Sequence, residues 1–177
     1  MIDKTPSVAV VGSVAVDWVI TPKAERETSV GGSATFFSMA ASYFGPVRLV
    51  GIVGQDFPQG SLDDLRQAHV DTEGLEVVPD GKTFRWKGRY HDNMNERDTL
   101  DTQLNVFETF DPVLPPAYRD SEYLFLANIV PALQAKVLDQ MATRPRLVGL
   151  DTMNLWIENT RDDLLAVLPR VDVLTIN

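Results

Sequence analysis

The stretch "SVGGSATFFSMAASYFGPVRLVGIVG" (residues 29–54) places two glycines before a helix-like run and an apolar, strand-like run after it. The run 33–44 is rich in alanine, serine and phenylalanine, and its small residues would let a helix lie close against a sheet. The run 46–54 is apolar and ends at Gly54, which predicts a strand. The stretch therefore predicts a helix and a strand that pack against each other.

Strand-like and helix-like segments alternate through most of the chain. The residues 7–20 are β-branched and almost continuously apolar, which predicts one strand buried on both faces. Ser61 and Asp64 form a capping-box pattern at the start of a helix. The further predicted strands cover 74–79, 122–128, 146–151 and 171–177, and the further predicted helices cover 60–70, 131–142 and 160–169, the last capped by Thr160. This order predicts an α/β fold with a parallel sheet and helices on both faces.

One segment, 83–108, has a different pattern. In "TFRWKGRY" (83–90), apolar and basic side chains alternate, so that Phe84, Trp86 and Tyr90 share one face. Arg85, Lys87 and Arg89 share the other face, and a similar alternation follows over 100–107. These residues predict a small two-stranded antiparallel flap over 83–108, projecting from a main domain made of 1–82 and 109–177.

Composition and charge exclude several classes of protein. Apolar residues make up 44% of the chain and charged residues 23%, which is typical of a globular protein. The net charge of −9 argues against a nucleic-acid partner, and no apolar run approaches the roughly 20 residues of a membrane span. The chain has no cysteine and two distant histidines, so we expect neither disulfides nor a zinc site. The lack of cysteine fits a reducing compartment, and we expect a cytoplasmic protein.

Individual motifs leave more than one interpretation open. No Walker lysine follows the Gly31-Gly32 pair, and Gly12 stands alone instead of within a dinucleotide fingerprint, so both nucleotide motifs are disfavoured. Asp17, in an apolar segment, either faces solvent at a strand end or accepts hydrogen bonds from ligand hydroxyls. Asn154 follows another strand end, where it either closes an Asx turn or meets a ligand.

Taken in order, these motifs resemble the ribokinase-like (PfkB) family of carbohydrate and nucleoside kinases. The similarity rests on five segments across all 177 residues: Gly12 with Asp17, "GGSATFFSMAASYFG", "GIVGQDFPQG", "DTMN" and "VDVLTIN". The flap occupies the position where the family inserts a substrate lid. One departure is the helix after the glycine pair, which has "ATFFS" where the family usually carries an asparagine that contacts substrate hydroxyls.

The resemblance implies a ribokinase-like sandwich with a β lid and transfer of a phosphoryl group from ATP, with Mg²⁺, to a hydroxyl of a sugar or nucleoside. It implies acceptor contacts from Asp17, Gly31, Gly32 and Asn154, with Ser33 and Phe36 beside them. It also implies that Arg89 and His91 of the lid close over the acceptor and that Asn177 lies near the ATP phosphates. Related kinases pair through the lid, so a homodimer is expected.

The family's Gly-x-Gly-Asp motif, which supplies the catalytic base, is absent from the 177 residues. We therefore expect the catalytic Asp beyond Asn177, an ATP-binding half outside this sequence, and no kinase activity from this chain alone. Asp151 is not assigned as a substitute base. The alternative is a small-molecule binding protein of the same fold without phosphoryl transfer.

Overall fold

A computed structural model describes residues 6–176, so Asn177 and its expected role lie outside the described residues. The larger of two sheets has six strands in the order β10-β9-β8-β1-β4-β5, and every neighbouring pair is parallel. Its strands are β1 (Val8–Val11), β4 (Val47–Gly54), β5 (Val70–Val78), β8 (Tyr123–Leu126), β9 (Leu147–Thr152) and β10 (Val173–Ile176). The predicted parallel sheet is confirmed.

Helices cover both faces of this sheet. They are α1 (Ser33–Ala41), α2 (Gln59–Gln67), α3 (Pro131–Gln140), α4 (Asn154–Asn159) and α5 (Arg161–Val167), with short 3₁₀ helices at Asn105–Thr109, Pro116–Tyr118 and Leu168–Arg170. Val10 packs with residues of α1 and α2, whereas its neighbour Val11 packs with residues of α3 and α5. Because successive strand residues point to opposite faces, the two hydrophobic cores lie on opposite sides of the sheet.

The predicted single strand over 7–20 is wrong. The chain leaves the large sheet after Val11, and β2 (Ala15–Ile20) belongs to the second sheet. Gly12 permits this exit, since a Cβ at that position would press against Ala127. Val14 and Val16 are still buried against α1 and α2. The apolar run therefore continues past the point where the chain passes from one sheet to the other. Hydrophobicity alone could not locate that point.

The second sheet is larger than the predicted two-stranded flap. It contains β2, β3 (Glu25–Gly31), β6 (Arg85–Tyr90) and β7 (Arg97–Gln103) in the order β3-β2-β6-β7. The β2–β3 and β6–β7 pairs are antiparallel, but β2 and β6 are parallel, so the sheet is mixed. Strand β3 was missed because its sequence is polar and most of it is exposed at the edge of the sheet.

One predicted helix start and one predicted helix cap need correction, and one helix was missed. Helix α2 begins at Gln59 after Pro58, so Ser61 and Asp64 lie inside it and form no capping box. Thr160 does precede α5, but its side chain makes no capping hydrogen bond. The six residues of α4 were not predicted. None of the described helices is long and apolar enough to cross a membrane.

Candidate ligand-binding site

A cavity of about 750 Å³ opens between the two sheets, and we call it the polar cavity. It lies beyond the carboxyl ends of β1, β8 and β9, which contribute Ser13, Asn128, Met153 and Asn154. Open parallel sheets bind their ligands at this edge. The second sheet and the loop before β7 form the opposite wall with Ala15, Asp17, Phe84, Trp86, Tyr90, Asn95, Glu96, Arg97 and Thr99, and the start of α1 adds Gly32, Ser33 and Phe36.

The two glycines before α1 allow a close approach of three chain segments. Gly32 has a φ of 92°, which favours glycine, and a Cβ there would overlap the carbonyl oxygen of Ser13. That carbonyl accepts a hydrogen bond from the backbone N–H of Ala34 at 3.1 Å. Gly31 leaves room for another group, because a Cβ at Gly31 would overlap the carboxylate of Asp17. Gly32 lines the polar cavity, whereas Gly31 makes space for the Asp17 side chain behind it.

Asp17 brings a partly buried carboxylate to the cavity wall. Its side chain has no hydrogen-bond or ion-pair partner among residues 6–176. Desolvation by burial raises the pKa of Asp17 from 3.8 to about 6. A ligand hydroxyl that donates a hydrogen bond to this carboxylate would replace some of the lost solvation. The arrangement suits a polyhydroxylated ligand.

Ser33 and Asn128 connect α1 to the end of β8. The Oγ of Ser33 accepts a hydrogen bond from the backbone N–H of Asn128 at 2.8 Å and lies 3.3 Å from the Oγ of Ser13. The Asn128 side chain is held in turn by α4, since the Nε1 of Trp156 donates to its Oδ1 at 2.6 Å. Sequence reasoning missed Asn128, although it follows a strand end just as Asn154 does.

An aromatic wall from β6 faces the cavity. Phe84, Trp86 and Tyr90 all line it, as their predicted common face requires. The rings of Trp86 and Tyr90 meet edge to face with centroids 6.3 Å apart, and the Trp86 Nε1 donates to Thr99 Oγ1 at 3.1 Å. Phe36, on α1, is 62% exposed and also lines the cavity. Flat aromatic surfaces of this kind suit stacking against a planar ring.

Phe36 and Phe37, which stand where the resembled family usually has an asparagine, face different cavities. Phe37 stacks on Phe125 with ring centroids 3.7 Å apart and nearly parallel planes, away from the polar cavity. Both rings line a second opening of about 640 Å³, the apolar groove, which also includes Phe44, Leu147 and Val173. Among the described residues that line this groove, none is charged. Phe36 alone of the pair therefore faces the candidate site.

Several predicted contacts lie outside the cavity lining. Arg89 is on the opposite face of β6 from the aromatic wall, and its strand neighbour Lys87 places its Nζ 3.3 Å above the Trp18 ring. The Nε2 of His91 lies 3.1 Å from Asp98 Oδ2, and both side chains are exposed. As the chain is arranged here, Arg89 and His91 do not line the polar cavity. Their predicted role requires a movement of the second sheet.

The end of β9 presents one side chain to the cavity and turns another away. Asn154, the exposed first residue of α4, lines the cavity, and its predicted contact with an acceptor stays a prediction. Asp151 is not among the lining residues, and its Oδ1 accepts a hydrogen bond from Thr175 at 3.1 Å. Burial raises the pKa of Asp151. Over residues 6–176, no three His, Cys, Asp or Glu side chains converge to hold a metal ion.

Comparison with known proteins gives a family and a relative for this chain. A family model for the pfkB family carbohydrate kinases matches residues 5–177. The cytidine kinase of Thermococcus kodakarensis is 28% identical over 173 residues, which cover 95% of this chain and 60% of that relative.

Solved structures agree on the fold. The nucleoside kinase of Burkholderia thailandensis, in complex with inosine, superposes with a TM-score of 0.62 at 13% identity, covering 96% of this chain and 69% of its own. A candidate ribokinase II from E. coli, in complex with ATP and Mg²⁺, gives a TM-score of 0.75 at 17% identity. The match covers 97% of this chain and 62% of the E. coli chain. The chain thus spans less than two thirds of the E. coli protein and of the cytidine kinase. With the family model matched along almost all of its length, the chain belongs to the PfkB family of carbohydrate kinases.

Proposed function

We propose that this chain forms the acceptor side of a kinase that phosphorylates a hydroxyl of a nucleoside. The observation that carries the proposal is the polar cavity, where an unpartnered carboxylate and an aromatic wall occur together. A sugar ring supplies hydroxyl donors for Asp17, and a planar base supplies a face for Trp86 and Phe36. The cytidine kinase, a relative by sequence at 28% identity, favours a nucleoside over a free sugar.

The residues of this chain would act by binding and positioning. Asp17 accepts a hydrogen bond from the acceptor molecule and restricts its orientation, which lowers the entropy cost of reaction. The second sheet covers the acceptor and excludes water that would otherwise compete for the phosphoryl group. Closure of this sheet, bringing Arg89 and His91 over the acceptor, stays a prediction.

ATP would supply the phosphoryl group and Mg²⁺ would offset its negative charge. The similar E. coli structure contains both. The residues described here offer no group of three metal-ligating side chains, and the space beside the glycine pair at 31–32 is already taken by the Asp17 carboxylate and the Ser13 carbonyl. No step of the reaction is therefore assigned to ATP or Mg²⁺ on these residues, and we expect the isolated 177-residue chain to be inactive as a kinase.

We also propose that two copies pair through the second sheet. Its edge strands, β3 and β7, are mostly exposed, and exposed sheet edges are commonly covered or paired. Light scattering after size exclusion should give twice the monomer mass, and a monomer mass at all concentrations would contradict this proposal.

Ligand binding by the 177-residue chain tests the proposed acceptor. We expect cytidine or inosine to bind more tightly than ribose or fructose in calorimetry, and to raise the melting temperature. Asp17→Asn should weaken nucleoside binding about tenfold, because the substitution weakens a hydrogen bond to a charged group. Asp162→Asn, an exposed change on α5, is the matched control and should bind as the parent does.

Two outcomes would contradict the proposal. If neither nucleoside binds, the nucleoside assignment is wrong. If nucleosides bind but a longer protein carrying this segment shows no ATP-dependent phosphorylation of them, the binding-protein alternative is favoured.

A further inference from the structure

Asn128 is a cavity residue whose side chain keeps an N–H donor available for a ligand. It follows β8, is partly buried and lines the polar cavity. Its carboxamide has two partners among residues 6–176. The Nε1 of Trp156 donates to Oδ1 at 2.6 Å, and Nδ2 lies 3.0 Å from the sulfur of Met153.

These partners determine which end of the amide is oxygen. The indole N–H of Trp156 is a donor only, so the atom that it contacts must be the oxygen of the carboxamide. The thioether of Met153 is a weak acceptor, which suits the NH₂ end. The amide orientation is therefore set by chemistry, and it leaves one N–H of Nδ2 without a partner in the described chain.

We propose that Asn128, oriented by Trp156, donates a hydrogen bond to an acceptor atom of the bound nucleoside and so contributes to substrate specificity. Asp17 is an acceptor when ionised, whereas Asn128 offers the free N–H of its Nδ2 as a donor. The cavity thus selects a ligand that presents a donor at one point and an acceptor at another. This inference rests on the proposed acceptor site, and it adds a residue, Asn128, and a hydrogen-bond donor that the proposed function does not include.

Two substitutions at Asn128 separate ligand recognition from a purely structural role. Asn128→Asp keeps an oxygen for Trp156 but replaces the N–H donor with a second oxygen, which repels an acceptor atom on the ligand. Asn128→Ala removes the donor without adding repulsion, and it also leaves the Trp156 indole N–H without its partner. We expect the melting temperature to fall more for Ala than for Asp.

Affinity should follow the opposite order. With cytidine and inosine as separate probes in calorimetry, Asn128→Ala should bind about tenfold more weakly than the parent chain. Asn128→Asp should bind more weakly than Asn128→Ala. A role confined to holding Trp156 predicts the reverse, with Asp closer to the parent in both measurements. An Asp variant that binds more tightly than the Ala variant would overturn the proposal.

Asn159→Asp is the matched control, because it makes the same chemical change at the exposed end of α4. The Nδ2 of Asn159 donates to the Leu155 carbonyl at 2.8 Å and does not line the cavity. We expect its affinity for either probe to equal that of the parent. An equal loss in Asn159→Asp and Asn128→Asp would show a general effect of charge and would overturn the inference.

Trp156→Phe removes the hydrogen bond that orients the Asn128 carboxamide. This variant also provides a second test if Asn128→Asp does not fold. Without the indole donor the carboxamide is free to turn, and we expect a loss of affinity of about threefold with folding retained. A folded Trp156→Phe chain with unchanged affinity would overturn the role of Trp156. If the parent chain binds neither probe, the proposed acceptor site is wrong and this inference is wrong with it. If the parent chain binds but Asn128→Asp binds more tightly than Asn128→Ala, only this inference is wrong.

Discussion

The two sheets of this protein differ in how their strands are stabilised. In β4 of the large sheet seven of eight residues are buried, whereas in β7 of the second sheet none is. The large sheet has a hydrophobic core on each face, but β6 of the second sheet presents aromatic rings to the cavity on one face and basic side chains on the other. We therefore expect the large sheet to carry most of the stability and the second sheet to contribute less.

The largest expected effect compares one leucine from each sheet. Leu126 of β8 is fully buried, and Leu126→Ala should lower the free energy of unfolding by about 3 kcal/mol through lost burial and the cavity left behind. Leu100 of β7 is 42% exposed, and Leu100→Ala should cost less than about 1 kcal/mol. Urea denaturation measures both values. Similar losses at the two positions would show that the second sheet is as tightly packed as the first.

A smaller effect concerns Asp17, where the second sheet meets the cavity. Burial raises its pKa to about 6 in the folded chain, so the folded state holds this proton more tightly than the unfolded state. Its contribution to stability is complete below about pH 4 and is lost as the pH rises through about 6. Asp17→Asn should therefore be more stable than the parent by about 1–2 kcal/mol at pH 7.5 and about equal at pH 4.

Urea midpoints at the two pH values, with Asp162→Asn as the exposed control, measure this difference. A parent chain that gains stability relative to Asp17→Asn between pH 4 and pH 7.5 would contradict the assigned pKa direction. The same variant should bind nucleosides less well, so that stability and ligand affinity change in opposite directions.

The smallest effect on stability comes from two glycines. A Cβ at Gly88 of β6 would overlap the Trp86 ring, so Gly88→Ala should displace this ring and lower cytidine affinity several-fold, with less than about 1 kcal/mol change in stability. At Gly60 of α2 a Cβ would meet nothing within 4 Å, so Gly60→Ala should stabilise the helix by about 0.5–1 kcal/mol without changing affinity. Calorimetry and thermal melting test the pair, and equal affinity in both variants would exclude Trp86 from binding.

Sequence reasoning worked best where one segment decides its own structure. The apolar run 46–54 predicted β4, observed at Val47–Gly54, because burial on both faces requires apolar residues throughout. The alternation in 83–90 correctly placed Trp86 and Tyr90 on one face. The method failed at β3, whose polar residues carry no strand signal, and at 7–20, where an apolar run crosses between sheets.

The candidate site was only partly accessible from sequence. Asp17, Gly32, Ser33, Phe36 and Asn154 all line the polar cavity, and their contacts with an acceptor stay a prediction. Asn128 was missed because its role depends on Trp156 and Met153, which are 28 and 25 residues away. Arg89 and His91 were assigned to the acceptor through the family resemblance, although the alternation in 83–90 already put Arg89 on the face opposite the aromatic wall, and neither residue lines the cavity.

The sequence by itself determined the alternation of strands and helices, the parallel sheet and the family. These features depend on hydrophobic periodicity and on glycines with local steric requirements, and both are properties of short segments. The tertiary structure decided that Gly31 makes space for the Asp17 carboxylate, that Phe36 and Phe37 face different cavities, and that Asn128 is left with a free donor. Each of these depends on contacts between segments distant in sequence, where burial and hydrogen-bond geometry arise only after the sheets have formed.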